Sequence, residues 1–519
     1  MNFLRDTTVF ILGLGDSGLA MARWCSRHGA QVTVWDSRDA PPGAAALQAE
    51  WPAVQRLGGA LRTEQLEGVQ LVLKSPGLAP HDPRIALFLH EARATAIAVL
   101  GELDLFARAL ADLKAAHGYA PQLLAITGTN GKTTTTAMTA LLVERAGQRV
   151  AMAGNIGPTL LDTLSDYLAT AQAEWPEVWV LELSSFQLEG GGTGAMRGPL
   201  GFEPTAAVVL NVTQDHLDWH GNLARYAAAK ARVFGAHAVM VLNRDDALVE
   251  AMAPQPVAVQ GVKGVKGKPK PIERHVLRFG LDAPHQPGDF GLVEENGMAW
   301  LVRALPIDDT FKKKKGDPDE EIHLQRLMPA DALRVRGRHN AANALAALAL
   351  ATAVGCPLAP LLHALREYEG EPHRVEFVAR VGDVEAFDDS KGTNVGATVA
   401  ALDGLGADKA PGKLIVILGG DGKGQDFVPL TAPLQRHARA VATIGKDAAA
   451  IEAVIAGVPV QRHASLEQAV AWCFEQAHPG DAVLMSPACA SLDMFRNYVH
   501  RAEVFVAAVQ GQAAARGLV

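Results

Sequence analysis

Short apolar runs, each closed by glycine or a small polar residue, recur along the chain and alternate with stretches of helical period. Near the N-terminus TVFILGLG, QVTVWD and QLVLKSPG are separated by a helical stretch through Met21 to His28. Strands that alternate with helices predict a parallel α/β unit over residues 1–100. A helical stretch from Glu102 to His117 leads into LLAITGTNGKTT, and the apolar runs VWVLELSS, AAVVLNVT and AVMVLN follow. These predict a second α/β unit over 101–370. Near 260–330 the pattern degrades into Gly, Pro and Lys with short alternating segments such as VLRFG and MAWLVR, an insertion read as part β-rich excursion and part exposed loop. A third unit, 371–519, is expected to begin where EPHR ends a helix. Its runs VEAFDDSKGTN, KLIVILGGDGKG, AVATIG and DAVLMSPACASLD repeat strand-then-glycine. The fold class is therefore α/β with three domains: a Rossmann-like N-terminal domain, a central P-loop ATPase-like domain and a Rossmann-like C-terminal domain.

The segment Leu123 to Thr134 carries the clearest chemistry. A turn built on Gly128, Thr129, Asn130 and Gly131 can aim backbone N–H groups at phosphate oxygens, and the helix starting near Lys132 adds its dipole. Lys132 would reach the β- and γ-phosphates, and the hydroxyls of Thr133 and Thr134 follow, with Thr133 placed for magnesium. Ile126 stands where the common form of this loop has its first glycine, so the loop is shorter. An ordinary capped turn would not need Gly, Asn, Gly, Lys and four threonines together.

Composition narrows the partners. The chain has 519 residues, 49% hydrophobic and 20% charged, with a net charge of -8. That balance offers no electrostatic footprint for nucleic acid and points to small-molecule substrates. The run Lys312 to Lys315 is followed at once by the acids of 317–321 without aromatic neighbours, so it reads as a solvated loop. Cys25, Cys356, Cys473 and Cys489 lack metal-ligand spacing, and Asp6 with a glycine turn stands where a signal peptide would be; a reducing cytoplasm is expected. Ala344 to His363 carries no formal charge over a bilayer-spanning length, but Gly355, Pro357 and Pro360 break it into a buried helix and a second helix start.

Other constellations were weighed against plainer readings. Gly13, Gly15 and Gly18 between a strand and a helix, with Asp36 ending the next strand, have the form of a dinucleotide fingerprint, which reports a pyrophosphate at a helix N-terminus and need not mean NAD. Glu182 ends VWVLEL where an acid could meet the metal held by Thr133; Ser184, Ser185 and Gln187 follow. His216 ends NVTQDH and is open to either a structural or a functional role. Lys230 lies on an apparent helix poor in charge: at the surface it would be bland, but buried it would lose its proton readily and could react with carbon dioxide to form a carbamate. Asn340 and Asn343 lie on one helix face, suited to a nucleobase edge or, for Asn340, to capping. Lys391 and Lys423 sit on strand-end loops suited to a carboxylate or to phosphates.

Taken together, these segments resemble the Mur ligase family, which adds amino acids to the UDP-muramoyl peptide precursor of bacterial peptidoglycan. The resemblance covers nearly the whole chain. It rests on TGTNGKTT, ELSSFQLE, NVTQDHLD, YAAAK and GRHNAAN, while GLGDSG (with Gly15, Asp16 and Ser17), Asp36-Ser37-Arg38, the turn Ser75-Pro76-Gly77, DDSKGTN, GGDGKG and SPACASLD resemble the D-glutamate-adding branch. It implies ATP and two magnesium ions, one held by Thr133 and Glu182, the other by His216 and a carbamylated Lys230. It implies uracil contacts from Asp36, Ser37 and Arg38, and muramoyl-alanine contacts from Asn155, Ser184 and Gln187. The ATP site would be completed by Asn340, Asn343, Arg374 and Asp389. Lys391, Thr393, Lys423, Ser491 and Leu492 would receive D-glutamate, with the ring of Tyr498 near the substrate where the family usually has Phe. The implied reaction makes an acyl phosphate that the amine of D-glutamate then attacks, with Lys132, His216 and Lys230 as the catalytic set and closure of the third domain assembling the site. A monomer is expected. Ala153 replaces a usual glycine in AGNIG, and the 260–330 insertion is longer than typical, with no assigned role. An NAD oxidoreductase would leave TGTNGKTT unexplained, a nucleotide-gated scaffold would leave the branch-specific loops unexplained, and a different amino-acid specificity within the family is the main alternative.

Overall fold

The computed structural model describes residues 2–190, 200–254, 274–307, 321–335 and 337–516. The Lys312 to Lys315 run and the segment VKGVKGKPKP lie outside the described residues.

The described residues form two parallel sheets, one mixed sheet that is parallel except at one edge, and one small antiparallel sheet. The first contains β1 (Thr8–Leu12), β2 (Gln31–Trp35), β3 (Gln55–Leu57), β4 (Leu71–Lys74) and β5 (Ala98–Leu100), in the order 3-2-1-4-5. All four pairings are parallel. Chain order reverses between β1 and β4, and a crevice opens beyond the carboxyl ends of strands at such a point. The helix after β1 spans Asp16–Arg27, starting directly after Gly15 and hence earlier than the Met21 boundary read from periodicity. Gly18 has to be glycine there: a Cβ would lie 1.9 Å from the Gly13 carbonyl oxygen.

The central sheet holds β6 (Gln122–Thr127), β7 (Val150–Gly154), β8 (Val178–Glu182), β9 (Ala206–Val209), β10 (Val239–Asn243) and β11 (Val276–Phe279), ordered 11-10-9-6-8-7 and parallel throughout. β6 lies between β8 and β9, so the loops after these three strands emerge side by side. Every residue of β8 is buried, which is why VWVLE reads as a continuous apolar run with an acid only at its end. The helices Lys132–Arg145 and Arg338–Ala353 cover one face. The second is Ala-rich and buried nearly all round, and Gly355 at φ +85° separates it from the helix Leu358–Glu367. Among the described residues no helix is long and apolar enough to cross a membrane.

Within the insertion, β12 (Phe290–Glu295), β13 (Met298–Pro306) and β14 (Ile322–Pro329) form an antiparallel three-stranded sheet in sequence order. Its inner residues, Phe290, Leu301 and Met328, join the core under the helix Arg338–Ala353.

The last sheet contains β15 (Glu376–Val381), β16 (Val384–Asp388), β17 (Leu414–Gly419), β18 (Ala438–Ile444), β19 (Val460–Arg462) and β20 (Ala482–Met485), ordered 15-16-20-17-18-19. Only β15 runs antiparallel to its neighbour. Residues 371–374 do not end a helix. The preceding helix stops at Glu367, and His373 and Val375 turn the chain at φ +62° and +52°. Proline at 372 disfavours continued helix, so the boundary falls earlier than the apolar pattern suggested.

One continuous core joins the first sheet to a face of the central sheet through the helix Glu102–His117, whose Phe106 meets Trp179 edge-on at 5.1 Å. The two core clusters of the last domain draw only on residues after 374.

Candidate active site

The phosphate-loop sequence folds as a tight strand-to-helix turn. Gly128 and Gly131 take φ +156° and +82°, and a Cβ on Gly131 would stand 2.5 Å from Asn343 Oδ1. The Lys132 ammonium folds back onto the loop, donating to the carbonyls of Gly128 at 3.0 Å and Thr129 at 2.9 Å. Lys230, only 1% exposed, donates to the same Gly128 carbonyl at 2.7 Å from the helix Leu223–Ala231. Burial, reinforced by the charge of Lys132, pushes the Lys230 amine well below the ordinary lysine value. Thus Lys230 is the buried group, not the surface lysine that was its plainer reading.

Parallel register brings Glu182 beside the loop, with Ile126 of β6 and Gly154 of β7 as its neighbours. Its Oε1 accepts from Asn155 Nδ2 at 2.7 Å, while its buried Oε2 has no hydrogen-bond partner among the described residues. A lone buried carboxylate oxygen is costly unless something cationic meets it. Thr133 lies in the first turn of the adjacent helix, just after Lys132, and is buried.

His216 sits after β9 in the left-handed region at φ +52°. Its ring stands edge-on to Phe186 at 4.8 Å and to Tyr226 at 6.3 Å. Burial pushes its pKa down to about 4 against the pull of Asp215, so the imidazole is neutral at physiological pH. Glu182, His216, Lys230 and Thr133 offer a carboxylate, an imidazole, an amine and a hydroxyl around one loop. The orphaned carboxylate oxygen of Glu182 and the hydroxyl of Thr133 are the oxygen donors in this set that suit a hard divalent cation.

One cleft flanks this loop and another opens between the first and central sheets. The first, of about 320 Å³, has Asn130, Gly131 and Thr134 on one side, Asn340 and Asn343 on another, and Arg374 with Asp389 on the third. Asn340 lies inside its helix and does not cap it; Gly337 is the N-cap, and Asn340 Oδ1 accepts from Asn343 Nδ2 at 3.2 Å. Arg374 has a buried Nε with no hydrogen-bond partner among the described residues. Burial lifts the Asp389 carboxyl to about 7 even though Ser486 donates to it at 2.6 Å.

The second cleft, about 250 Å³, lies between the first and central sheets and is lined in part by Pro76 and Gln187. Gln187 Oε1 accepts from both the backbone N–H and the hydroxyl of Ser184, each at 2.9 Å. Above it the Gly13–Gly18 turn is braced by Ser75, which donates to the Gly13 carbonyl at 3.1 Å, and by Asp36, which accepts from the Leu14 N–H at 2.7 Å. Burial disfavours the Asp36 carboxylate, but Arg38 outweighs it and holds the pKa at about 2. Ser37 accepts from Arg84 at 2.9 Å, Asp16 and Gly77 are exposed, Gly15 is half-buried, and Ser17 bonds the buried Glu102.

In the last domain β16, β20 and β17 are adjacent, which gathers their loops. Lys391 donates to Tyr498 Oη at 3.0 Å and lies over that ring at 4.6 Å. Thr393 is half-buried, Ser491 is buried, and Leu492 is 75% exposed. Lys423 instead crosses to the central domain and pairs with Asp215 at 2.8 Å. Asn394 also crosses, donating to Asn130 Oδ1 at 2.9 Å. Asp215 and Asn394 carry contacts between domains that sequence reading did not assign, although both stand inside segments it had quoted, NVTQDH and DDSKGTN.

Three family models match successive stretches of the chain. Residues 7–101 match the Mur ligase MurD-like N-terminal domain, 126–270 the Mur ligase middle domain, and 373–489 the Mur ligase glutamate ligase domain. A protein of Albidiferax ferrireducens named UDP-N-acetylmuramoylalanine--D-glutamate ligase is 59% identical, covering 100% of this chain and 98% of that protein. One of the same name from Burkholderia ambifaria is 55% identical, with 98% of each covered. Among solved structures, the MurF ligase of Thermotoga maritima in complex with ADP shares the fold at a TM-score of 0.56 and 15% identity, covering 99% of this chain and 96% of that one. A chain matched domain by domain in this order, and identical over its whole length to such relatives at more than half its positions, belongs to the Mur ligase family.

Proposed function

We propose that this chain is an ATP-dependent ligase that joins D-glutamate to UDP-N-acetylmuramoyl-L-alanine through an acyl phosphate, a step of peptidoglycan precursor synthesis. The observation that carries the chemistry is the meeting of Lys132 and Lys230 at one carbonyl of the phosphate loop. Burial and the neighbouring Lys132 ammonium both disfavour the charged form of the deeper amine. The relatives' shared name supports the choice of substrates.

ATP would enter the 320 Å³ cleft with its triphosphate on the loop N–H groups, its base toward Asn340 and Asn343, and Arg374 and Asp389 closing over it. The acceptor would lie in the other cleft, from the Gly15–Ser17 turn and the Asp36–Arg38 segment past Ser75–Gly77 to Asn155, Ser184 and Gln187. Glu182 with Thr133, and His216 with a carbamylated Lys230, would hold magnesium, which supplies charge neutralisation between two anions. The lowered pKa of Lys230 favours carbamate formation, in which the nitrogen of the neutral amine bonds the carbon of carbon dioxide and one proton leaves to solvent. The acceptor carboxylate attacks the γ-phosphorus, ADP departs with Lys132 offsetting its charge, and the amine of D-glutamate then displaces phosphate. The amine must first lose a proton, and the neutral His216 ring suits that transfer as well as metal binding. Lys391, Thr393, Lys423, Ser491 and Leu492 would receive the two carboxylates of D-glutamate, beside the Tyr498 ring.

The reading is tested by phosphate release from ATP with UDP-N-acetylmuramoyl-L-alanine and a panel of amino acids. Release should require D-glutamate. Turnover with L-lysine or diaminopimelate and none with D-glutamate would replace the assignment by another specificity. A second expectation concerns the orphaned oxygen: Glu182→Gln keeps the Asn155 contact but removes the charge. It should lower kcat about a hundredfold and shift the magnesium titration to higher concentration. Activity within twofold of wild type would remove Glu182 from the metal site.

A further inference from the structure

The acceptor cleft is bridged by a contact that belongs to none of the quoted segments' assigned roles. Lys74 ends β4, and its ammonium bends over the turn that follows, donating to the carbonyls of Leu78 at 2.8 Å and Ser75 at 3.2 Å. On its other side the same ammonium lies 5.4 Å from the ring centroid of Trp219, a residue of the central domain. Trp219 packs on Phe186 at 4.3 Å, and Phe186 is the ring that meets His216. Phe186 also stands between Ser184 and Gln187 in their loop, so a row of contacts runs from the first sheet to the phosphate-loop region. Lys74, Phe186 and Gln187 share one cavity wall.

We propose that Lys74 is a positioning residue for the acceptor: by bracing the Ser75–Leu78 turn and seating it on the Trp219–Phe186 pair, it sets the distance between the two halves of the acceptor cleft. This rests on the reading that the acceptor lies there. A cation over an indole face is attractive, and more so where water is partly excluded. The other charges facing Lys74 are Glu189, which attracts it, and Arg93, which repels it. Glu189 is itself paired with Arg232. Burial lowers the Lys74 pKa to about 8, so the ammonium prevails at neutral pH and is lost above it.

The test compares wild type, Lys74→Met, Lys74→Arg, Trp219→Leu and the Lys74→Met/Trp219→Leu double variant as full chains. Lys74→Met should raise the KM for UDP-N-acetylmuramoyl-L-alanine about tenfold and leave the KM for ATP within about twofold. Lys74→Arg should restore most of it, and its acceptor KM should stay flat above pH 8 where that of wild type climbs. The double variant should resemble the worse single variant, because each removes the same contact. Equal rises in both KM values, or single effects that multiply in the double variant, would overturn the proposal. Hydrogen exchange without substrates separates this from the functional reading. In Lys74→Met both 75–78 and 184–187 should exchange faster whatever the substrate proves to be, and unchanged exchange at 184–187 would also overturn it.

Discussion

Replacing Lys230 by methionine is expected to cut turnover by at least about a thousandfold, the loss associated with dismantling a charge-stabilising site, while the protein stays folded. The two effects separate because of where the side chain lies. Lys230 is buried and gives its described hydrogen bond to the Gly128 carbonyl, with no carboxylate partner at hydrogen-bonding distance among the described ion pairs. Burial disfavours a charge at this position, so an apolar stem of similar length is accommodated there. Against this stands one lost hydrogen bond, about 1 kcal/mol. Thermal unfolding should therefore shift by only a few degrees, and added bicarbonate should restore nothing. Carbon-13 NMR with labelled bicarbonate gives the direct reading: a carbamate signal in wild type that disappears in Lys230→Met. Full activity in this variant would take the carbamate out of the mechanism.

Lys132→Ala should cost a comparable factor, again at least about a thousandfold in kcat/KM for ATP, by a different route. Lys132 is the cation that lies along the loop itself, anchored on the carbonyls of Gly128 and Thr129. Without it the loop N–H groups still face the phosphates, but nothing mobile and positive follows the charge that develops as the γ-phosphoryl group leaves. Nucleotide affinity should fall less than turnover does. Lys132→Arg should not rescue, since a rigid planar fork cannot take the place of a compact ammonium folded over two carbonyls. A variant with intact turnover and weakened ATP binding alone would show that Lys132 only binds.

The parts of this site that lie on one strand and its following loop were legible in the chain: an apolar run that stops at glycine states both a buried strand and the turn beyond it. Gly128–Thr134, Glu182 at a strand end and the Gly13–Gly18 turn are all of this kind. What the sequence could not state is which side chains meet across strands and domains. Asn155 meets Glu182 because β7 and β8 share a register, and Lys230 meets Gly128 across about a hundred residues of chain. The local pattern is compatible with many such pairings, and packing selects one. Lys74 shows the limit most plainly, since nothing in LKSPG announces an indole of another domain. The helix boundary before residue 371 is not legible in the sequence for a simpler reason: apolar periodicity fades gradually, whereas the backbone turns at particular residues.

The ion pair between Asp215 and Lys423 has a consequence for how an amino acid would arrive. An acidic substrate bound at Lys423, as proposed, would find that cation already matched to a carboxylate, in a half-buried place where neither partner is well hydrated. Entry is then an ion exchange, one carboxylate replaced by another on the same ammonium, and the desolvation of Lys423 has been met in advance by the fold. Such an exchange gains little from long-range attraction, so the affinity for the amino acid should depend only weakly on ionic strength. Selectivity would fall instead to the second carboxylate and the amine, the groups for which the protein holds no rehearsed substitute.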